Sequence, residues 1–189
     1  MRLLVLAIAL VAGCAPTRET PQEAFARLAP CMDEADARCL FGELDRDSQW
    51  SAASVFRLLA QMRAVAERSY PAGERAAALG AWQEEAAASD PAGLFAIHCA
   101  KHACLERLAQ GFGAVARVTD ANGKTATVET TRGALYAMAR AGGDWGLSVF
   151  RDELEAAKIR LGDNLAQVKR NAAAYDEQRA AGAGEEKAP

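Results

Sequence analysis

His98 and His102 are the two histidines of the chain, and their spacing could build a metal site. On a helix, residues four apart share one face, so two imidazoles and the thiolate of Cys99 or Cys104 could hold zinc. The zinc-protease helix has a glutamate directly after its first histidine as general base, where this chain has Cys99. Lys101 would also put positive charge beside the metal. We expect two solvated histidines beside a disulfide cysteine, with a metal-dependent enzyme using His98 and His102 as an alternative.

Six acidic residues are concentrated between residues 33 and 47, and paired carboxylates can transfer protons when their surroundings separate their pKa values. They are Asp33, Glu34, Asp36, Glu43, Asp45 and Asp47. Their order lacks the alternate aspartates, central glycine and closing glutamate of a calcium loop. We therefore interpret these acids as solvated residues at helix ends.

Three tryptophans, Trp50, Trp82 and Trp145, could line a pocket, although buried tryptophans more often fill a core. Trp145 alternates with Leu147 and Val149, which favours the core for this residue. The sequence contains no nucleophile elbow, phosphate-binding loop, dinucleotide fingerprint or haem-attachment motif. We predict no catalytic residue and no cofactor, and therefore a protein that is not an enzyme.

The N-terminus carries the most specific pattern of the chain. Arg2 precedes an apolar run of nine residues, and the stretch Val11-Ala12-Gly13-Cys14 follows. A basic start, a short apolar run and a small-residue site are typical of a secretory signal. The run is too short for a membrane span, which needs about 20 apolar residues. The stretch that ends in Cys14 resembles the lipobox of bacterial lipoproteins.

This resemblance implies that residues 1–13 are removed as a signal peptide. Cys14 would then carry lipid, palmitate included, on its sulfur and on its new amino group. The protein would be anchored in the bacterial cell envelope and face the periplasm. In enteric members of the family an aspartate after this cysteine often marks the inner membrane; Ala15 stands there, which favours the outer membrane. Residues 14–20 would form a tether and residues 21–179 a single domain.

Length and charge limit the possible partners. Without residues 1–13 the chain keeps 176 residues, which suits one domain. Its net charge changes from −3 to −4, because Arg2 is the one charged residue removed. Such mild acidity offers no basic footprint for nucleic acid, which we exclude as a partner, and no polybasic patch for anionic lipid.

Four cysteines remain if Cys14 is lipidated, and an exported chain is expected to form disulfides from them. They are Cys31, Cys39, Cys99 and Cys104, and four cysteines allow three connectivities. On a continuous helix, Cys99 and Cys104 would differ by about 140° around the axis and could not meet. We therefore expect bridges from Cys31 and Cys39 across to Cys99 and Cys104, with the individual pairs left open.

Hydrophobic periodicity predicts an α+β fold. Helices are expected near residues 20–30, 33–44, 48–69 and 74–88, and again from Asp90. After Gly111 the period changes to two, and the Asn122-Gly123 turn is typical of a hairpin. These features predict N-terminal helices packed on a small four-stranded antiparallel meander.

A long helix from about Arg151 to Arg179 is predicted after the sheet. Its apolar residues step by four and three, as in a heptad seam: Leu161, Leu165, Val168, Ala172 and Tyr175. The seam either packs on the protein's own elements or binds an envelope protein partner through Leu161, Leu165 and Val168. Residues 180–189 are predicted to be a disordered tail.

The predicted order of elements, helices and then a meander, resembles that of small envelope proteins with the nuclear transport factor 2-like fold. The stretch at the end of the meander that carries this resemblance is Gly142-Gly143-Asp144-Trp145-Gly146-Leu147. The resemblance covers about residues 94–150. It implies helices packed in the concave face of a curved sheet. No catalytic Asp/His pair is carried over, because no position of this chain matches one.

Together these patterns predict a membrane-tethered lipoprotein that acts as a non-catalytic binding or scaffolding module. The alternative is a carrier of a small molecule or lipid, with a pocket between sheet and helices. Exposed seam residues would favour a protein partner, and an open apolar cavity beside Trp145 would favour a carrier. A third free ligand near His98 and His102 would favour the metal-dependent enzyme.

Overall fold

A computed structural model describes residues 19–120 and 122–185. The predicted signal peptide, the lipobox with Cys14 and most of the tether lie outside the described residues, as do residues 186–189 of the predicted tail. In the described part, helices come first, a four-stranded antiparallel sheet follows and a long helix ends the chain. The predicted α+β class is confirmed.

The elements of the described residues follow one another in this order. Seven α-helices precede the sheet: α1 (Pro21–Ala26), α2 (Leu28–Asp33), α3 (Ala37–Gly42), α4 (Arg46–Ser69), α5 (Arg75–Leu79), α6 (Pro91–His102) and α7 (Cys104–Gly111). The strands are β1 (Val115–Asp120), β2 (Thr125–Thr130), β3 (Leu135–Ala141) and β4 (Asp144–Leu147), and α8 (Arg151–Glu185) follows them. Short 3₁₀ turns at Ala72–Glu74, Gly80–Trp82 and Glu85–Ala87 lie on either side of α5.

The sheet is the predicted meander, with each strand antiparallel to the next in the order β1-β2-β3-β4. Val128 lies opposite Val118 on one side and opposite Tyr136 on the other, and Met138 lies opposite Leu147. Because side chains alternate between the two faces of a sheet, these residues share one face. Val128, Tyr136, Met138 and Leu147 are buried there.

The N-terminal helices cover this buried face, as the sequence predicted. Phe25 of α1 packs against Tyr136 of β3 and against Phe112 after α7, with ring centroids 5.1 Å apart in each pair. Leu28 of α2 and Leu40 of α3 belong to the same core cluster. The short helices therefore owe their place to burial against the sheet rather than to their own length, since isolated helices this short are marginal in water.

A second core lies between α4 and α8. It contains Val55, Leu59 and Met62 of α4 and the seam residues Leu161, Leu165, Val168 and Ala172 of α8. The Tyr70 hydroxyl at the end of α4 donates a 3.0 Å hydrogen bond to the backbone carbonyl of Val168. The seam thus packs within the chain, and Leu161, Leu165 and Val168 are buried rather than available to an envelope partner.

Several predicted helix boundaries are wrong. The two helices expected near residues 20–30 and 33–44 are the three helices α1, α2 and α3, and the last of them begins at Ala37. The segment 74–88 is not one helix, because α5 stops at Gly80, whose φ of 56° few residues besides glycine adopt. At the other end of the chain, α8 continues to Glu185, so residues 180–185 are helical rather than disordered.

Two alanines have a left-handed backbone that alanine rarely adopts. The φ angle is 51° at Ala35, between α2 and α3, and 50° at Ala103, between α6 and α7. This region costs a residue with a Cβ roughly 1–2 kcal/mol. The expectation of one continuous helix through Cys99 and Cys104 is therefore wrong, because the helix is interrupted at Ala103.

Replacing Ala103 by glycine should raise the free energy of unfolding by about 1 kcal/mol, because glycine has no Cβ to strain at positive φ. Ala60→Gly is the matched control, since Ala60 is exposed within α4 and its replacement should lower stability by about 1 kcal/mol. Urea unfolding of both variants measures the difference. A loss of stability in Ala103→Gly similar to that in Ala60→Gly would contradict a left-handed residue 103.

Candidate functional site

An open cleft lies between the sheet and the helices, where α7, β3 and the start of α8 meet. Leu108 and Gly111 line it from α7, Leu135 and Tyr136 from β3, and Phe150 from the residue just before α8. Its volume is about 520 Å³, a size typical of pockets that hold small ligands. The cleft does not include Trp145, beside which the sequence analysis looked for an apolar cavity, and none of its lining residues had been predicted as a site residue.

Exposed apolar side chains are concentrated at this cleft. Four large hydrophobic side chains are exposed in the described part of the chain, and two of them, Leu135 and Val149, line the cleft. Leu135 is 66% exposed and Val149 is 36% exposed. Single exposed apolar residues are normal, but a cluster beside a concave surface is typical of a binding site.

Contacts between α7 and β3 hold the floor of the cleft. The Tyr136 hydroxyl donates a 2.6 Å hydrogen bond to the backbone carbonyl of Leu108, and burial raises the pKa of this tyrosine above its ordinary value. A Cβ on Gly111 would lie 2.3 Å from the Cβ of Ala134, so glycine lets the helix end approach the strand. The apolar floor is therefore formed by packing within the protein.

Charged and polar groups form one rim of the cleft. The Arg107 guanidinium lies 3.8 Å from one carboxylate oxygen of Glu153, and Nε2 of His98 lies 2.9 Å from the other. A hydrogen bond from the same guanidinium to the Cys104 sulfur raises the pKa of Arg107. The cleft thus combines an apolar floor with a charged rim, a combination that suits ligands with both apolar and polar parts.

The two histidines do not form a metal centre in the described residues. Their rings are close, with centroids 4.4 Å apart, as their helical spacing predicted. His98 is buried, however, and stacks on Trp82 while its Nε2 contacts Glu153; His102 is exposed. Across residues 19–120 and 122–185, no group of three or more His, Cys, Asp or Glu side chains is placed to hold a metal ion.

The three tryptophans differ in their environments. Trp145, a residue of β4, is buried in the core, as predicted. Trp82 is half-buried beside His98, whereas Trp50 is 67% exposed on α4 and does not belong to the core. The cavity beside Trp145, of about 370 Å³, is not apolar, because Arg46 and Asp144 are among the charged residues that line it.

The acids between residues 33 and 47 have separate structural roles rather than one shared site. Asp36 and Asp45 cap the N-termini of α3 and α4 by accepting backbone hydrogen bonds. Glu43 forms an ion pair with Arg27, and Asp47 lies 3.2 Å from a guanidinium nitrogen of Arg151. Asp36 and Asp45 therefore lie at helix ends, as interpreted, but the expectation that these acids are solvated is wrong for Asp45, which is 3% exposed.

The expected cysteine pairing is wrong. Cys31 and Cys39 form a disulfide with each other, with Cα atoms 5.3 Å apart, and the buried Cys99 and Cys104 are free thiols. The local pairing is possible because Ala35 turns the chain between α2 and α3, so that two residues eight apart face each other. A prediction from continuous helices could not include this turn.

No protein family, no curated protein and no solved structure matches the chain. None of the described helices combines the length and the hydropathy that a membrane crossing requires. The residues of the cleft were missed by the sequence analysis because they come from three elements far apart in the chain. The one local signal is Leu135, an apolar residue that alternates with the core residues Tyr136 and Met138 and therefore points away from the core.

Proposed function

We propose that the protein is a bacterial envelope lipoprotein, tethered through lipid on Cys14, that acts as a non-catalytic binding or scaffolding module. The lipobox resemblance of residues 11–14 supports the tether, and Ala15 favours the outer membrane with the domain facing the periplasm. The cleft between α7, β3 and α8 is its binding surface.

The observation that carries this proposal is the exposure of Leu135 and Val149 at the cleft. Leaving large apolar side chains in water forgoes about 25 cal/mol for each Å² that a bound molecule could cover. The buried seam of α8 offers no such surface, because Leu161, Leu165 and Val168 already pack within the chain.

A second candidate function, a carrier of a small molecule or lipid, is favoured by the volume of the same cleft. About 520 Å³ between sheet and helices is room for a small ligand. The charged rim of Arg107 and Glu153 would contact the polar end of such a ligand, and the apolar floor would contact the rest. The two functions differ in whether the bound species is a protein or a small molecule.

Cys14→Ser tests the tether. The variant is expected to leave the membrane fraction almost completely, because the acyl chains supply the membrane affinity and each buried methylene contributes about 0.8 kcal/mol. Cell fractionation with intact-mass measurement checks both the location and the lost lipid. A variant that still pellets as lipid-modified protein would contradict the lipobox interpretation.

Leu135→Asp tests the cleft, with Ile159→Asp as the matched control, since Ile159 is 60% exposed on α8 and does not line the cleft. Native mass spectrometry is performed on each protein taken from its own membranes in mild detergent. We expect the occupancy of the bound species to be at least tenfold lower in the Leu135 variant than in the Ile159 variant. The mass of that species distinguishes a partner protein from a small ligand. Equal occupancy in both variants would refute the cleft as the binding surface.

A further inference from the structure

The two helix interruptions at left-handed alanines share a second feature, the position of their cysteines. Ala35 comes four residues after Cys31, and Ala103 comes four residues after Cys99. A second cysteine follows each alanine, Cys39 in the first case and Cys104 in the second. Cys31 and Cys39 are bonded to each other, whereas Cys99 and Cys104 are free.

The interruption at Ala103 removes the obstacle that a continuous helix would impose. Cys99 lies in the last turn of α6 and Cys104 is the first residue of α7, so the two thiols belong to different helices. Both are buried in the same core cluster, at 1% and 0% exposure. Interaction with Cys104, together with burial, raises the pKa of Cys99, and interaction with Cys99 lowers the pKa of Cys104.

The neighbours of the pair favour reaction at Cys104. The Arg107 guanidinium lies 3.7 Å from the Cys104 sulfur, and a nearby cation stabilises a thiolate. Because Cys31 and Cys39 are bonded to each other, Cys104 is the one described cysteine with which Cys99 could form a disulfide.

We propose that Cys99 and Cys104 form a second disulfide, closing the α6–α7 corner as Cys31–Cys39 closes the α2–α3 corner. The oxidant is a disulfide, either a small molecule such as oxidised glutathione or a protein disulfide of the exporting compartment. The Cys104 thiolate attacks the oxidant and expels one thiolate. The Cys99 thiol then gives its proton to the expelled thiolate, attacks the Cys104 sulfur of the mixed disulfide and expels the second thiolate, so two thiols are oxidised and one disulfide is reduced.

The two closed corners would border the same cavity. This cavity, of about 480 Å³, is lined by Met32 and Ala35 from the first corner and by Cys99, Ala100 and Leu105 from the second. With both disulfides formed, the α2–α3 corner on one side of the cavity and the α6–α7 corner on the other would each be cross-linked. Formation in the cell rests on the proposed export, because disulfides persist in oxidising compartments.

Tryptic mapping tests the pairing directly, because trypsin places each of the four cysteines on its own peptide. Cleavage after Lys101 separates Cys99, in peptide 76–101, from Cys104, in peptide 102–107. Cleavage after Arg38 likewise separates peptide 28–38 from peptide 39–46. The full chain from its own membranes is alkylated without reductant and digested; a second sample is first reduced, unfolded and refolded in a glutathione buffer.

The proposal predicts that refolded protein yields peptide 76–101 linked to peptide 102–107, with a loss of two hydrogens. Alkylated, unlinked peptides 76–101 and 102–107 after refolding would overturn it, as would links from either of them to peptide 28–38 or 39–46. The test distinguishes failure of the disulfide proposal from failure of the export proposal. If only the export proposal is wrong, both local pairs form in the glutathione buffer but are reduced in the sample taken directly from cells.

Matched variants guard against a folding defect in any one protein. Cys31→Ser/Cys39→Ser should still lose two hydrogens on oxidative refolding, and Cys99→Ser/Cys104→Ser should also lose two. If the first double variant keeps two reactive thiols while its circular dichroism matches that of the wild type, Cys99 and Cys104 do not form a disulfide.

Discussion

Gly146→Ala is expected to lower the free energy of unfolding by about 4 kcal/mol, because the methyl group would overlap a neighbouring backbone. A Cβ at residue 146 would lie 2.5 Å from the backbone nitrogen of Asp45 and 2.6 Å from its Cα. Backbone hydrogen bonds hold this segment against β4, from Asp45 to Leu147 and from Leu147 to Glu43, each 2.9 Å long. The clash therefore cannot be relieved by a side-chain rotation.

The energy has two sources, overpacking and lost hydrogen bonds. Overpacking in a closely packed site costs about 1–3 kcal/mol, and each displaced hydrogen bond costs about 1 kcal/mol. Typical domains have a stability of about 5–15 kcal/mol, so the variant would be close to unfolding under ordinary conditions. Urea unfolding followed by circular dichroism measures the loss.

Gly162→Ala is the control for this substitution. Gly162 lies within α8, and a Cβ there would meet nothing within 4 Å. The same chemical change should therefore raise stability by about 1 kcal/mol, because alanine favours a helix more than glycine does. If Gly146→Ala raises stability as Gly162→Ala does, the close approach of β4 to residues 44–45 is wrong.

Asp45→Ala is expected to lower the free energy of unfolding by about 3 kcal/mol, since it removes a helix cap and a buried partner of a cation. The Asp45 carboxylate is buried and accepts hydrogen bonds from the backbone amides of Asp47 and Ser48 at the start of α4. The same carboxylate lies 2.6 Å from a guanidinium nitrogen of Arg151, at the start of α8. One side chain thus joins the first turns of the two longest helices described.

The estimate adds two contributions to the free energy of unfolding. The helix cap contributes about 1 kcal/mol. Breaking a fully buried ion pair costs about 3–5 kcal/mol, and we use a smaller value because Arg151 is partly exposed. Asp45→Asn keeps an oxygen for the cap but removes the charge, so its loss should be smaller. A cycle that combines Asp45→Ala with Arg151→Met isolates the coupling between the two residues. A loss below about 0.5 kcal/mol for Asp45→Ala would mean that neither contact stabilises the fold.

Sequence patterns predicted the fold where the signal is local. The alternating residues and the Asn122-Gly123 turn identified the four strands, because a two-residue period and a tight turn depend on neighbouring residues alone. The heptad spacing in α8 likewise identified Leu161, Leu165 and Val168 as one face. Their buried environment needed the structure, because a heptad seam fits a helix of the same chain as well as one of a partner.

The cysteine pairing failed for a physical reason that can be named. Helix periodicity assumes an uninterrupted helix, whereas a left-handed residue at Ala35 or Ala103 reverses the local path of the chain. Alanine is the best helix former, so its residue type gives no warning of such a break. The tertiary packing of α3 against α6 and of α7 against the sheet compensates for the strain.

The sequence by itself determined the α+β class and the order of strands, because each depends on residues close together in the chain; the lipobox resemblance of residues 11–14 stays a prediction. The tertiary structure alone decided that Cys31 bonds to Cys39 and that the α8 seam is buried. It alone placed Leu135 and Val149 at one cleft and Gly146 against Asp45. Most of these contacts are decided by the packing of whole elements, whereas the Cys31–Cys39 bond depends on the left-handed turn at Ala35, which the residue types do not reveal.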